Sequence, residues 1–274
     1  MLCLLGSQGG AQTAEHQRTG VESTDSWLFI AGMSIDLIDA IEPDSGEAAA
    51  LEIDPSFTLE ALYNQRFGLS VELPIIARLA LGSSDSPVSP GSVAVFGDPS
   101  MALSCTFRIN DWRLGAELSY THPSGIWNDY EARERKIASG SGYRKLGATL
   151  SAVRYMDPLV AGFAISAESL FDRKEKYGSI MKPLVLTASI FATEALNNIV
   201  AISSGLSERL AWPRCDNGLP GGEGFSHSLS GKLSIIFSEG AKTLSFGLSK
   251  LLSEVASPVV FTIGYSLMLS GKED

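Results

Sequence analysis

The chain has 274 residues, 45% of them hydrophobic and 19% charged, with a formal net charge of -10 and a pI near 4.9. That balance offers no basic footprint for a nucleic acid, and no run of about eighteen apolar residues supplies a membrane-crossing helix. Its three cysteines (Cys3, Cys105, Cys215) and three histidines form neither a disulfide framework nor a metal-ligand spacing. No metal and no cofactor is therefore expected.

Residues 1–26 open with MLCLLGSQGGAQTAEHQ. Leu2, Leu4 and Leu5, followed by small residues up to Ala11 or Ala14, look like the tail of an export signal, although the positively charged start is missing. The segment is expected to be a leader remnant or a flexible N-terminal arm. From Trp27 onward, apolar residues recur on every second position. Trp27, Phe29, Ala31, Met33 and Ile35 share one face; so do Phe57, Leu59, Ala61 and Tyr63, then Phe67, Leu69, Val71, Leu73 and Ile75. In MALSCTFRINDWRLGAELSYTH, two alternating runs flank Asn110-Asp111, which marks a tight hairpin. The pattern continues through 146–153 and 159–169, weakens over 183–192 and 198–205, and is clear again over 229–237, 244–252 and 259–269.

This periodicity predicts twelve strands, over 27–36, 54–63, 67–77, 99–109, 112–121, 143–155, 158–170, 182–193, 197–206, 228–238, 242–252 and 258–269. The connections alternate. Long ones cover 37–53, 78–98, 122–142, 172–181 and 207–227, with 253–257 shorter; short ones are 64–66, 110–111, 156–157, 194–196 and 239–241. A Greek-key sandwich has no reason to keep that parity, whereas transmembrane barrels pair short periplasmic turns with long external loops. The expected fold is all-β: a single antiparallel up-and-down transmembrane barrel over 27–270, both termini periplasmic, with a charged tail at 271–274.

The barrel reading assigns each face. Leu103, Phe107, Leu114, Leu118, Phe163, Phe246, Phe261 and Ile263 are expected to face lipid, together with Met101 and Cys105. Glu60, Glu72, Arg108, Arg113, Glu117, Glu168 and Lys232 are expected to line the lumen, among serines, threonines and glycines such as Gly115. A soluble barrel with the apolar face inside would enclose a cavity too wide for its side chains to fill.

No Gly-Xaa-Ser-Xaa-Gly elbow and no His-Glu-Xaa-Xaa-His is present, and His122 and His227 are expected in external loops, so no enzyme is expected. GLPGGEG (218–224) lacks the Lys-Ser/Thr of a phosphate cradle and is expected to be a loop. The first long connection, DLIDAIEPDSGEAAALEID (36–54), is acidic, with a spacing unlike a calcium loop. A solvated external loop with room for a short helix is expected there; a cation held by its carboxylates is the alternative reading. YEARERKIAS (130–139) is a mixed-charge loop with Arg133, Arg135 and Lys136 able to meet head-group phosphates.

Three stretches carry a family resemblance. RFGLSVELPI (66–75), GDPSMALSCTFR (97–108) and GSGYRKLGATLSAVRYMDPLVAGFAISAES (140–169) are similar to the tight-turn strand, the Gly-Asp strand opening and the Gly-rich entry with its Asp-Pro turn of a transporter-like outer-membrane β-barrel family. That family is named for the meta-pathway of phenol degradation. The end, YSLMLSGKED, departs from common outer-membrane practice in lacking a terminal aromatic residue. The resemblance implies an outer-membrane channel for passive passage of small, apolar or aromatic molecules, with the lipid bilayer and a small-molecule solute as partners. A second reading is a non-conducting surface barrel whose external loops bind a host or partner molecule. A third is a soluble β-barrel ligand carrier.

Overall fold

Alternating ribbons have two unlike faces and two hydrogen-bonding edges, and only closure satisfies every edge. The computed structural model describes residues 27–40, 50–80, 93–124, 144–171, 173–175, 178–181, 184–212, 215–216, 219–220, 225–254 and 257–270. Among these there is no helix. The strands are β1 (Trp27–Ala40), β2 (Ala50–Tyr63), β3 (Phe67–Ala80), β4 (Val93–Phe96), β5 (Ser100–Ile109), β6 (Trp112–Thr121), β7 (Lys145–Met156), β8 (Leu159–Leu170), β9 (Arg173–Glu175), β10 (Gly178–Met181), β11 (Leu184–Ala195), β12 (Val200–Ala211), β13 (Cys215–Asp216), β14 (Leu219–Pro220), β15 (Ser226–Glu239), β16 (Lys242–Leu251) and β17 (Val259–Ser270).

Thirteen of them form one sheet in which every long strand pairs antiparallel with its chain neighbours, and β1 pairs with both β2 and β17. The sheet is closed. β3 pairs with β4 through Ile75↔Phe96 and with β5 through Glu72↔Ser100, so these two segments form one stave and the barrel has twelve. One residue is gained between them, a bulge at Gly97-Asp98-Pro99. Ser124 stitches it: its N–H donates to Asp98 Oδ1 at 3.0 Å and its hydroxyl to the Gly97 carbonyl at 3.1 Å.

The ladders fix the slant. Perpendicular to the strands, Leu28 leads through Leu62, Gly68, Ser104, Glu117, Thr149, Ser166 and Thr187 to Arg209 and Ser228, climbing from the short-turn end to the long-loop end. Continued round the circuit, the registers return to β1 displaced by about 14 residues, the stagger that accompanies closure. With a rise of about 3.3 Å per residue and about 4.8 Å between staves, this gives a tilt of about 39° and a backbone radius of about 12 Å.

Several strands run further than periodicity predicts. β1 reaches Ala40 and β2 begins at Ala50, so Asp36, Glu52 and Asp54 stand in strands rather than in an acidic loop, with Asp36 opposite Asp54. Residues 41–49, where a short helix was expected, lie outside the described residues, as do 1–26, 130–139, 221–224 and 271–274. β12 runs on to Ala211, and the connections on either side of β11 and β12 carry their own four-stranded sheet, β14-β13-β10-β9. The two-residue turn at Asn110-Asp111 and the turn at Asn64-Gln65-Arg66 lie where expected. Asn64, Gln65 and Asn110 take positive φ (49°, 54° and 54°), the twist that tight hairpins need.

Candidate functional site: the barrel interior

One face of the closed sheet is oily and outward. Leu103 is 62% exposed, Phe107 55%, Leu118 59% and Phe163 46%, with Leu114 and Phe246 at 37% and 36%. Phe261 and Ile263 lie on the same face and are half-buried. Cys105 shares it and carries a free thiol. Aromatic side chains gather at both ends of this face. At the short-turn end Trp27 packs on Tyr63 at 5.1 Å and Arg154 lies over the Trp112 ring at 5.7 Å. At the long-loop end Trp212 meets Phe225 edge-on at 5.9 Å, and Tyr120 lies 6.4 Å from the His122 ring. On β6, Trp112 and Tyr120 stand about 20 Å apart along the barrel axis once rise and tilt are applied.

Parity puts Glu60, Glu72, Arg108, Arg113, Glu117, Glu168 and Lys232 on the opposite, concave face. Three come together. Glu60 on β2 lies within electrostatic reach of Glu117 and Arg113 on β6, three staves away. Only the concave side permits this, and only because the intervening residues, Gly68, Ser70, Ala102 and Ser104, are small. Arg113 Nη2 donates to Thr106 Oγ1 at 3.5 Å, and Thr106 Oγ1 donates to the Gln65 carbonyl at 2.9 Å. Glu72 accepts a hydrogen bond from Ser100 Oγ at 3.4 Å.

The others stand apart. Arg108 is Arg113's direct cross-strand partner, and its Nε donates to the Asn110 carbonyl at 3.4 Å, which keeps it at the short-turn mouth. Glu168 stands near the long-loop end of β8, opposite Gly147 and Val185. Lys232 is on the far wall, its Cε 3.6 Å from where a Cβ on Gly247 would sit.

That far wall is hydroxyl-lined. Thr193 Oγ1 donates to Ser203 Oγ at 2.9 Å and the Ser207–Ser230 hydroxyls are 2.7 Å apart; on the near side, between β1 and β2, the Ser34–Ser56 hydroxyls are 2.8 Å apart. Cross-strand hydroxyl bonding of this kind holds adjacent staves together and leaves spare lone pairs facing the interior.

Periodicity misses interior residues at strand ends and on β11. Glu52 and Arg209 fall in the long connections that it predicts, because charges at a strand's end look like loop; Arg209 Nε is buried and finds no hydrogen-bond partner among the described residues. Phe191 stands on the interior face of β11, opposite Gly162 and Gly205. Ser124 and His122 do not form a nucleophile–base pair: the hydroxyl is bonded to the Gly97 carbonyl and the imidazole leans on Tyr120. Among the described residues no His, Cys, Asp and Glu cluster has metal-binding geometry.

The fold is that of an outer-membrane β-barrel. The chain is similar to the COG4313 outer membrane channel from Pseudomonas putida F1, at 12% identity and a TM-score of 0.67, covering 92% of this chain and 98% of that one. It is also similar to the NanC porin (10% identity, TM-score 0.55, 88% and 100% covered) and the KdgM porin (12%, 0.50, 87% and 98%). No protein-family model and no curated protein matches the sequence.

Proposed function

We propose that this protein is an outer-membrane channel for passive passage of small molecules. A twelve-stave barrel with a polar concave face and an exposed oily convex face supports that reading most directly. Such a surface is at home where hydrocarbon wets the oily side. In this reading Leu103, Phe107, Leu114, Leu118, Phe163, Phe246, Phe261 and Ile263 meet lipid. Glu60, Glu72, Arg113, Glu117, Glu168 and Lys232 line the pore, with Arg108 at its mouth. The short turns and both termini face the periplasm. The three sequence stretches that resemble the phenol-degradation barrel family favour an apolar or aromatic solute.

Planar-bilayer recording on refolded protein tests this. Stepwise conductance in potassium chloride is expected. Folded, heat-modifiable protein that inserts but passes no current would overturn it and favour the second reading, a surface barrel working through its external loops. The β14-β13-β10-β9 sheet, built from two such connections, is the feature that favours that reading. Recovery from cells without detergent would instead point to the soluble carrier.

A further inference from the structure

Among the described residues, the interior face of the twelve staves carries two aromatic side chains, Tyr155 near the short-turn end and Phe191 near the middle of β11. Phe191 is flanked in direct register by glycine on both sides, Gly162 on β8 and Gly205 on β12. Its ring leans to one of them. A Cβ built on Gly162 would come within 2.5 Å of Phe191 Cζ and 2.7 Å of Cε1. At Gly205 the nearest atoms to a Cβ would be the Ile190 carbonyl at 3.3 Å and the Phe191 Cβ at 3.6 Å, with no atom of the ring among them. The ring therefore lies along the wall in the recess that Gly162 leaves, an arrangement in which an aromatic ring covers a cross-strand glycine. Its neighbours on the strand, Ser189 and Thr193, are hydroxylic, so one apolar plate interrupts a polar wall.

We propose that Phe191, held flat by Gly162, is the specificity-determining side chain of the pore, a face on which solutes bearing a planar apolar ring are retained as they pass. This rests on the channel reading and extends it. A ring laid on the wall offers its π-face to the lumen, and stacked or edge-on aromatic pairs gain more than area alone predicts. A saturated ring of equal carbon count lacks that gain. Gly162 has the second role of keeping the ring out of the axis: with a methyl group there, the ring must swing inward and narrow the pore.

Benzylammonium and cyclohexylmethylammonium test the first role. Both are monocations of equal carbon count at neutral pH, suited to a lumen holding Glu60, Glu72 and Glu117. In planar bilayers with potassium chloride, benzylammonium is expected to block current at a roughly two- to tenfold lower concentration. Phe191→Ala should bring the two cations to parity, and Phe191→Tyr should restore the preference. For the second role, Gly162→Ala is expected to lower conductance and Gly162→Ala/Phe191→Ala to recover it, while Gly205→Ala changes neither. Because a Cβ at Gly162 also comes within 2.9 Å of the Ala152 carbonyl, the Phe191 variants decide the matter if Gly162→Ala does not fold. Equal block by both cations in the unmodified pore, or a preference that survives Phe191→Ala, overturns this inference alone. Absence of any conductance overturns the channel reading and this inference with it.

Discussion

Leu150 and Thr149 are adjacent on β7 and face opposite ways. Leu150 is 67% exposed on the convex face, between Ala116 and Ile165, near mid-height. Thr149 stands on the concave face between Glu117 and Ser166. An arginine at 150 would place its charge in mid-depth hydrocarbon, at a cost of about 2–4 kcal/mol. At about 1.4 kcal/mol per tenfold, that is roughly 30- to 1000-fold in the folding equilibrium. An arginine at 149 would remain in the polar interior beside the Glu117 carboxylate and should cost about 1 kcal/mol or less. Depth gives a third point. Leu114 sits on the same oily face but two residues from Trp112, about 8 Å nearer the short-turn end than Leu150. Leu114→Arg should accordingly cost about 0–1 kcal/mol. Denaturant titration in phospholipid vesicles, with heat-modifiable gel mobility as the measure of folded protein, reads all three. Equal losses at 149 and 150, or a larger loss at 114 than at 150, would refute the assignment of faces and the tilt from which depth was computed.

Three further outcomes are expected. Arg154→Ala removes the cation over Trp112 and should lower unfolding free energy by about 0.5–1 kcal/mol in the same titration. Gly115→Ser brings a Cβ within 2.6 Å of Ser151 Oγ, which must rotate; its cost should be under about 1 kcal/mol and should vanish when Ser151 is Ala, as a double-mutant cycle will read. Ser124→Ala removes the hydroxyl bond to the Gly97 carbonyl across the β4–β5 bulge and should cost about 0.5–1.5 kcal/mol, while its backbone N–H keeps the bond to Asp98 that Asp98→Ala removes; a double-mutant cycle reads how far the two couple.

The hairpins were legible because each is specified locally. Apolar alternation sets both faces, and turn residues such as Asn110 and Asn64 tolerate the left-handed backbone that the strand twist demands. What failed needed distant partners. Glu52 stays in strand because it stands opposite Ile38 across β1 and β2, a ladder that no local window contains. The β11–β12 turn lies between Ala195 and Val200, not at 194–196, because Asn197 Oδ1 accepts from the Ile199 and Val200 N–H groups, each at 2.8 Å. The β10–β13 pairing joins two connections some thirty residues apart, on the order of a whole hairpin. Phe191 was hidden for a different reason. Val185 and Phe191 put apolar residues on the interior face of β11 and Glu194 puts a charge on the outer one, so the alternation that marks other staves fades, and the meaning of Phe191 appears only when Gly162 is laid beside it.

The same placement bears on whether opposite charges seal the interior. A backbone radius of about 12 Å puts opposite staves about 24 Å apart. Lysine and glutamate side chains extend roughly 6 and 4 Å from their Cα atoms, so Lys232 on β15 and Glu72 on β3 cannot meet across the axis. Interaction between charges must then run along the wall, as it does where Glu60 lies within electrostatic reach of Arg113 and Glu117 over Gly68, Ser70, Ala102 and Ser104. Bulky groups on the far side follow the same course, Lys232 over Gly247 and Phe191 over Gly162. Clear width at mid-height is thus governed less by the number of staves than by where glycines and serines allow long side chains to lie down. Filling those recesses, rather than neutralising charges, is the change that would close this wall.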